Sequence, residues 1–224
     1  MNTSLLLLTF LPSILILIYI IRSDKFPEPI SAIIKVFLLG IAICYPASYF
    51  NQILIFQQQS FISYDNSFLA GLTEETLKFL VLYFYVMKQG FFDEPMDGIV
   101  YGVTVSLGFA TLENFEYVIN YEHLGSYYVA TVRAMTAIPL HAMCGVIMGF
   151  YFGIANFHNV GNNLAKALFI PMVSHASYNL IAGYNMFLTL IFIAIIFLYA
   201  RKLHATFKHL QKNKSMEPER KIDI

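Results

Sequence analysis

A small set of ionisable side chains lies inside long apolar stretches of this 224-residue sequence. A charged group within such a stretch is costly, so each of these residues is a candidate for function. The set comprises three glutamates, a lysine, an arginine and two histidines, at Glu74, Glu75, Lys78, Glu113, Arg133, His141 and His175, and two amides at Asn114 and Asn179. Glutamates and histidines in a partly dry pocket can activate water, and histidine or asparagine donors can stabilise an oxyanion.

The two vicinal glutamates differ in their neighbours. Lys78 follows Glu74 by four residues, which places the pair on one helical face in the favourable Glu-before-Lys order. Glu75 points about 100° away from that face and is left without a local partner. We therefore predict that Glu74 pairs with Lys78, and that Glu75 is the general base or the carboxylate that polarises water.

Two glycines support the placement of the first histidine. Arg133 and a proline precede His141, and Gly145 and Gly149 follow it at intervals of four. Small residues at this spacing form a stripe that allows a second helix to approach closely.

The second histidine forms a pair with an amide. His175 and Asn179 are four residues apart, so both side chains project from one face of a helix. We predict that they act together, either on the carbonyl of the bond to be cleaved or on the attacking water.

Two chemical routes remain open for these residues. A zinc ion could be held by two histidines and a glutamate, which is a known catalytic ligand set. The residues that match it are Glu113, His141 and His175. No HExxH motif is present, which excludes the zincin type of helix. A route without any cofactor, in which glutamate and histidine activate water directly, is equally compatible with the sequence.

The composition identifies the elements that must position these residues. Hydrophobic residues make up 58% of the chain and charged residues 12%, against ~45–50% and ~25% in a soluble domain. A soluble globular enzyme is thereby excluded, and we predict an all-α polytopic transmembrane helical bundle of about seven spans. The predicted spans are 5–21, 31–56, 68–87, 98–119, 127–157, 163–182 and 184–200.

We expect one membrane domain, residues 1–224, with a motif-bearing core at about 68–182 and a basic cytoplasmic tail at 201–224. The stretch 127–157 would measure ~46 Å as a straight helix. For this reason we expect an interfacial first part and a kink near Arg133 and Pro139. The 14 basic and 14 acidic residues balance, so no nucleic-acid partner is expected.

The distribution of basic residues predicts the orientation in the cell membrane. Lysine and arginine mark cytoplasmic loops, and here they follow the first, third and seventh spans and open the sixth, at Arg22, Lys25, Lys88, Lys166, Arg201 and Lys202. The loops at 57–67 and 120–126 contain none. This predicts an outside N-terminus, a cytoplasmic C-terminus and one polar layer ~10 Å below the outer surface.

The order of the motifs resembles that of the PrsW family of intramembrane proteases, which is distantly similar to the CAAX prenyl endopeptidases. The similarity rests on Glu74-Glu75-x-x-Lys78, Phe109-x-x-x-Glu113-Asn114, Arg133 with His141, and His175-x-x-x-Asn179. The CAAX endopeptidases have histidine where this chain has Glu113, so the resemblance favours the PrsW branch. It implies a metalloprotease, or a metal-independent glutamate protease, that cleaves a single-pass membrane protein near its extracytoplasmic face, for example an anti-sigma factor.

Two other functions use similar residues. Buried glutamate, histidine and lysine also build proton relays in transporters and channels, but no inverted repeat is evident in the sequence. A non-catalytic protein that sequesters a membrane peptide is the third interpretation. In all three cases the lipid bilayer is an expected partner.

Overall fold

The computed structural model describes residues 2–58, 68–158 and 161–212. Over these residues the chain forms eight α-helices and no strand, which confirms the predicted all-α membrane bundle. The helices are α1 (Thr3–Ser23), α2 (Ile30–Gln58), α3 (Phe68–Phe84), α4 (Pro95–Asn120), α5 (Ser126–Met135), α6 (Ala137–Phe157), α7 (Asn163–Ala182) and α8 (Met186–Lys212). Most of the loop predicted to lack basic residues, at 59–67, and the tail at 213–224 lie outside the described residues.

Helix α4 is the central element of the bundle. It packs against α1, α2 and α6, and every residue from Pro95 to Thr111 is buried. Its first turn is closed by Asp97, whose Oδ2 accepts hydrogen bonds from the backbone N–H groups of Asp93 and Glu94, both at 2.8 Å. Proline at the first helical position needs no N–H partner, which suits this start.

The predicted glycine stripe is confirmed at the contact between α4 and α6. A Cβ atom added to Gly145 would lie 2.6 Å from the carbonyl oxygen of Gly102. Gly149 faces Gly98 even more closely. Only glycine permits two helix backbones to come this near. This contact fixes the height of His141 relative to the polar residues of α4.

The helices overlap all seven predicted spans. Residues 127–157 divide into two helices as expected, and the break at Thr136 lies between Arg133 and Pro139. Pro139 belongs to the first turn of α6, where a missing N–H costs no hydrogen bond.

Four segments of the described chain are long and apolar enough to cross a membrane. They are Thr3–Ser23, Ile30–Leu54, Ser126–Phe157 and Met186–Lys212. The helices α3, α4 and α7 carry most of the polar residues of interest. Their crossing of the bilayer, and the count of seven spans, stay predictions.

Candidate active site

A cavity of about 630 Å³ opens between α2, α3, α4, α6 and α7. Six of the residues selected from the sequence line it: Glu74, Glu113, Arg133, His141, His175 and Asn179. Glu75, Lys78 and Asn114 do not line it and are completely buried. The structure therefore brings all nine residues to one region, but it separates those that face the cavity from those behind its wall.

Lys78 pairs with Glu75 and not with Glu74, which corrects the sequence-based pairing. The Lys78 Nζ lies 2.7 Å from Glu75 Oε1, an i,i+3 contact with both side chains fully buried. The same Glu75 oxygen lies 2.9 Å from His175 Nδ1. Glu75 thus has two partners, and the reason for assigning it as the general base, its lack of a cation, does not hold.

This contact defines the protonation of His175. An ionised carboxylate only accepts hydrogen bonds, so the His175 Nδ1 carries the proton and donates it to Glu75. The other ring nitrogen, Nε2, then has a free lone pair. Orientation of a histidine by a carboxylate behind it is the usual arrangement in hydrolytic and metal sites.

His141 links the lysine to the third glutamate. Its Nδ1 lies 2.9 Å from Lys78 Nζ, and its Nε2 lies 2.9 Å from Glu113 Oε2. Lysine can only donate, so Nδ1 accepts and Nε2–H donates to the carboxylate. The Lys78 ammonium also sits 4.4 Å from the centre of the Phe109 ring, a favourable cation–π contact.

Arg133 is the last residue in the series of contacts that runs from Lys78 through His141 to Glu113. Its Nη2 lies 2.7 Å from Glu113 Oε2, and its Nε donates to Asn114 Oδ1 at 3.0 Å. Asn114 in turn donates to the carbonyl oxygen of Thr9 at 2.7 Å. This arrangement ties α5 and α1 to α4, so Asn114 and Arg133 position Glu113.

The remaining glutamate, Glu74, is the one that lacks a compensating cation. Its Oε1 accepts a hydrogen bond from Asn51 Nδ2 at 3.4 Å. Its buried Oε2 has no hydrogen-bond partner and lies 3.8 Å from His175 Nδ1. Lys78 and Arg133 already balance the other two carboxylates, so the charge of Glu74 is left over for a ligand in the cavity.

The residues that could hold a metal differ from the predicted set in one member. Ligand atoms of Glu74, His141 and His175 lie within 4.8 Å of one another, whereas Glu113 does not belong to this group. Glu113 is instead held beside Arg133 and the far side of His141. Two histidines and a glutamate fit a catalytic zinc site, and the uncompensated charge of Glu74 favours a cation there.

A glycine on α3 allows Glu75 to reach α7. A Cβ atom added to Gly71 would lie 2.7 Å from the backbone nitrogen of Ala176, next to His175. Gly71 precedes Glu75 by one helical turn, so the closest approach of the two helices occurs at the level of the Glu75–His175 contact.

Sequence reasoning missed the contribution of α2. Asn51 contacts Glu74 and accepts a short hydrogen bond from Thr73. Ser48 and Gln52 line the cavity beside it. The signal was available, because three polar residues within five positions of an apolar span are unusual.

Comparison with known proteins gives a consistent result. A family model described as "PrsW family intramembrane metalloprotease" matches residues 28–201. The chain is 39% identical to Protease PrsW of Bacillus subtilis over 177 residues, covering 76% of this chain and 78% of that protein. It is 30% identical to Protease PrsW of Clostridioides difficile over 227 residues, covering 96% and 95% of the two chains. No solved structure gives a significant match.

Proposed function

Because the chain belongs to the PrsW family of intramembrane proteases, we propose that it hydrolyses a peptide bond of a single-pass membrane protein in the cavity between α3, α4 and α7. The observation that supports this site most strongly is the position of Glu74. The side chains of Glu74 and His175 both line the cavity, and Glu74 Oε2 has no hydrogen-bond partner. A carboxylate and an oriented imidazole are the groups that deprotonate and hold an attacking water.

The proposed roles follow from the hydrogen bonds of each side chain. Glu74 is the carboxylate that polarises the water, because its side chain lines the cavity and its Oε2 has no hydrogen-bond partner. Glu75 is a positioning residue that holds His175 as the Nδ1–H tautomer and leaves Nε2 available to accept the water's proton. Transfer of this proton to the leaving amine completes the hydrolysis.

Asn179 and Arg133 are the proposed donors that stabilise the developing oxyanion. Asn179 lies one turn beyond His175 and lines the same wall, and Arg133 faces the cavity from α5. Donors held in place before the reaction are worth ~2.7–4 kcal/mol each when they act on the oxyanion. Arg133 is held in place by Glu113 and Asn114.

If the reaction requires a metal ion, side chains of the same cavity wall would hold it. We propose that Zn²⁺ would be held by Glu74, His175 and His141, and that the Nδ1 of His141 would leave Lys78 to bind the metal while its Nε2–H stays on Glu113. When bound, it would lower the pKa of a coordinated water and polarise the carbonyl of the substrate. The role of Glu75 behind His175 is the same with the metal, since a carboxylate that accepts the second ring N–H of a ligand fixes its orientation.

The lining of the cavity also suits an unwound substrate. Besides the reactive groups, it carries Ser48, Asn51, Gln52 and Asn120. A helical membrane segment must release backbone hydrogen bonds before a peptide bond can be attacked, and exposed backbone groups in a bilayer need new partners. We propose that these polar side chains supply them near the extracytoplasmic face, as the basic-residue distribution indicates. Anti-sigma factors are the proposed substrate class.

The test is cleavage of a defined substrate by the protein in proteoliposomes. A single-pass protein is co-reconstituted, and mass spectrometry of the products locates the cleaved bond. We expect one cut within or beside the extracytoplasmic end of the membrane segment, absent in His175→Ala. The matched control is Glu122→Gln, an exposed site that should cleave normally. Binding without any product would instead support the non-catalytic interpretation.

A further inference from the structure

A second group of carboxylates lies at the opposite end of α4 from the cavity. Asp24 and Glu28 come from the connection between α1 and α2, and Glu94 and Asp97 begin α4. Along α4, Asp97 is ~24 Å from the level of Glu113. The two sites are therefore separate in space, and the proteolytic mechanism uses none of these four residues.

These carboxylates are buried without enough hydrogen-bond donors. Glu94 is 1% exposed and Asp97 is 0% exposed. One oxygen on each of three side chains is buried with no partner: Asp24 Oδ2, Glu94 Oε2 and Asp97 Oδ1. A buried carboxylate oxygen without a donor or a cation is strongly unfavourable, so these atoms favour either a bound cation or a proton shared between the neighbouring carboxyl groups Glu28 and Asp97 and between Asp24 and Glu94.

The donors that do reach the group are neutral. The hydroxyl of Tyr101 donates to Glu28, and the Gln211 side-chain amide donates to Asp24 at 2.7 Å and, in a shorter bond, to Glu94. Within the described part of the chain, no basic side chain forms an ion pair with any of the four carboxylates.

The nearest lysine in sequence is occupied elsewhere. The Nζ of Lys25 donates to the main-chain oxygen of Gln211 at 3.3 Å and lies 5.0 Å from the ring of Phe26. Among the described residues, this lysine therefore does not form an ion pair that balances the charge of the group.

We propose that this group binds a hard divalent cation, Mg²⁺ or Ca²⁺, through Asp24, Glu28 and Asp97. One carboxylate oxygen of each lies within 4.8 Å of the other two, and the Asp97 carboxyl is within hydrogen-bond reach of Glu28. The ligand set contains only oxygen, which suits Mg²⁺ and Ca²⁺ and disfavours zinc, because zinc in proteins prefers histidine and cysteine. Glu94 lies within hydrogen-bond reach of Asp24 and is not one of the three ligands.

A bound cation would connect three parts of the chain that otherwise meet through hydrogen bonds. The carboxylates hold the α1–α2 connection against the start of α4, and Gln211 adds the end of α8. The cation therefore acts on the stability of the bundle at this end, independently of the reaction in the cavity.

The test measures cation binding directly and is independent of proteolysis. The full chain in detergent is stripped with a chelator, and its melting temperature is followed during titration with MgCl₂ or CaCl₂, with KCl at equal ionic strength as reference. At ~100 times the dissociation constant we expect a rise of about 5–10 °C. Asp97→Asn and Glu28→Gln should abolish this rise. Glu122→Gln and the active-site variant His175→Ala should keep it.

A second readout is made on the wild-type protein and needs no carboxylate variant. Tb³⁺ replaces Ca²⁺ and emits when a nearby tyrosine is excited. Tyr101 contacts the ligand Glu28, so Tb³⁺ should emit on the wild-type protein, lose most of its emission in Tyr101→Phe and be displaced by whichever of the two ions binds. A melting temperature that does not respond to either ion, an equal response in Glu28→Gln, or Tb³⁺ emission that neither ion displaces would each overturn the proposal.

Discussion

The pairing of Lys78 with Glu75 can be measured as a coupling free energy. Lys78→Met keeps the length of the side chain but leaves Glu75 as an unpaired charge at a fully buried site. Loss of one partner of a buried ion pair costs about 3–5 kcal/mol. For a chain of this size that corresponds to a fall in melting temperature of about 6–20 °C.

The double variant decides which glutamate is the partner. Glu75→Gln removes the orphaned charge, so Lys78→Met with Glu75→Gln should be more stable than Lys78→Met alone, with a coupling of about 2–3 kcal/mol. The same cycle with Glu74→Gln should give less than about 1 kcal/mol, because Lys78 Nζ is hydrogen-bonded to Glu75 and His141. Thermal or detergent-induced unfolding provides the measurement. A larger coupling to Glu74 than to Glu75 would refute the pairing.

Three further predictions concern helix contact, metal content and pH. Gly71→Val should separate α3 from α7 and reduce the cleavage rate by ~100-fold, whereas Gly90→Val, at a position with open space around it, should cleave normally. The purified protein should contain zinc by elemental analysis, and His175→Ala should lose it. Burial raises the pKa of Glu28 to about 7 and that of Glu94 to about 8. Without divalent cations the folded protein therefore holds protons that the unfolded chain releases, and melting temperature should fall from about pH 5 to about pH 8. Glu94→Gln should flatten this decline.

The helices and the gathering of the polar residues at one level could be predicted because both depend on local pattern. Apolar runs of membrane-spanning length define the helices, and positions along a helix set the height of each side chain. A close helix contact at Gly145 and Gly149 could also be predicted, because glycines at intervals of four allow a second helix to approach, but the identity of that helix, α4, could not. The break between Arg133 and Pro139 could be predicted because residues 127–157 are too long for one straight crossing, whereas its exact position at Thr136 could not.

The partner of Lys78 could not be predicted, because a lysine is within reach of glutamates three and four residues before it. Tertiary contacts decide which glutamate pairs with Lys78. The Lys78 ammonium contacts His141 on α6, and in that position it also lies beside the carboxylate of Glu75. Asn51 and the carboxylates around Asp97 were missed for a related reason. Their roles depend on residues that meet only after folding, from α2 to α3 and from α1 to α4.

The most direct test of the proposed mechanism is the cleavage rate of Glu74→Gln in a single turnover with bound substrate. The substitution keeps the shape and the contact with Asn51 but removes the carboxylate that faces the cavity. We predict a loss of ~100-fold or more, with substrate binding and melting temperature close to those of the wild type. Near-normal cleavage by Glu74→Gln, together with complete loss in Glu75→Gln, would contradict the assignment of Glu74 and return the central role to Glu75.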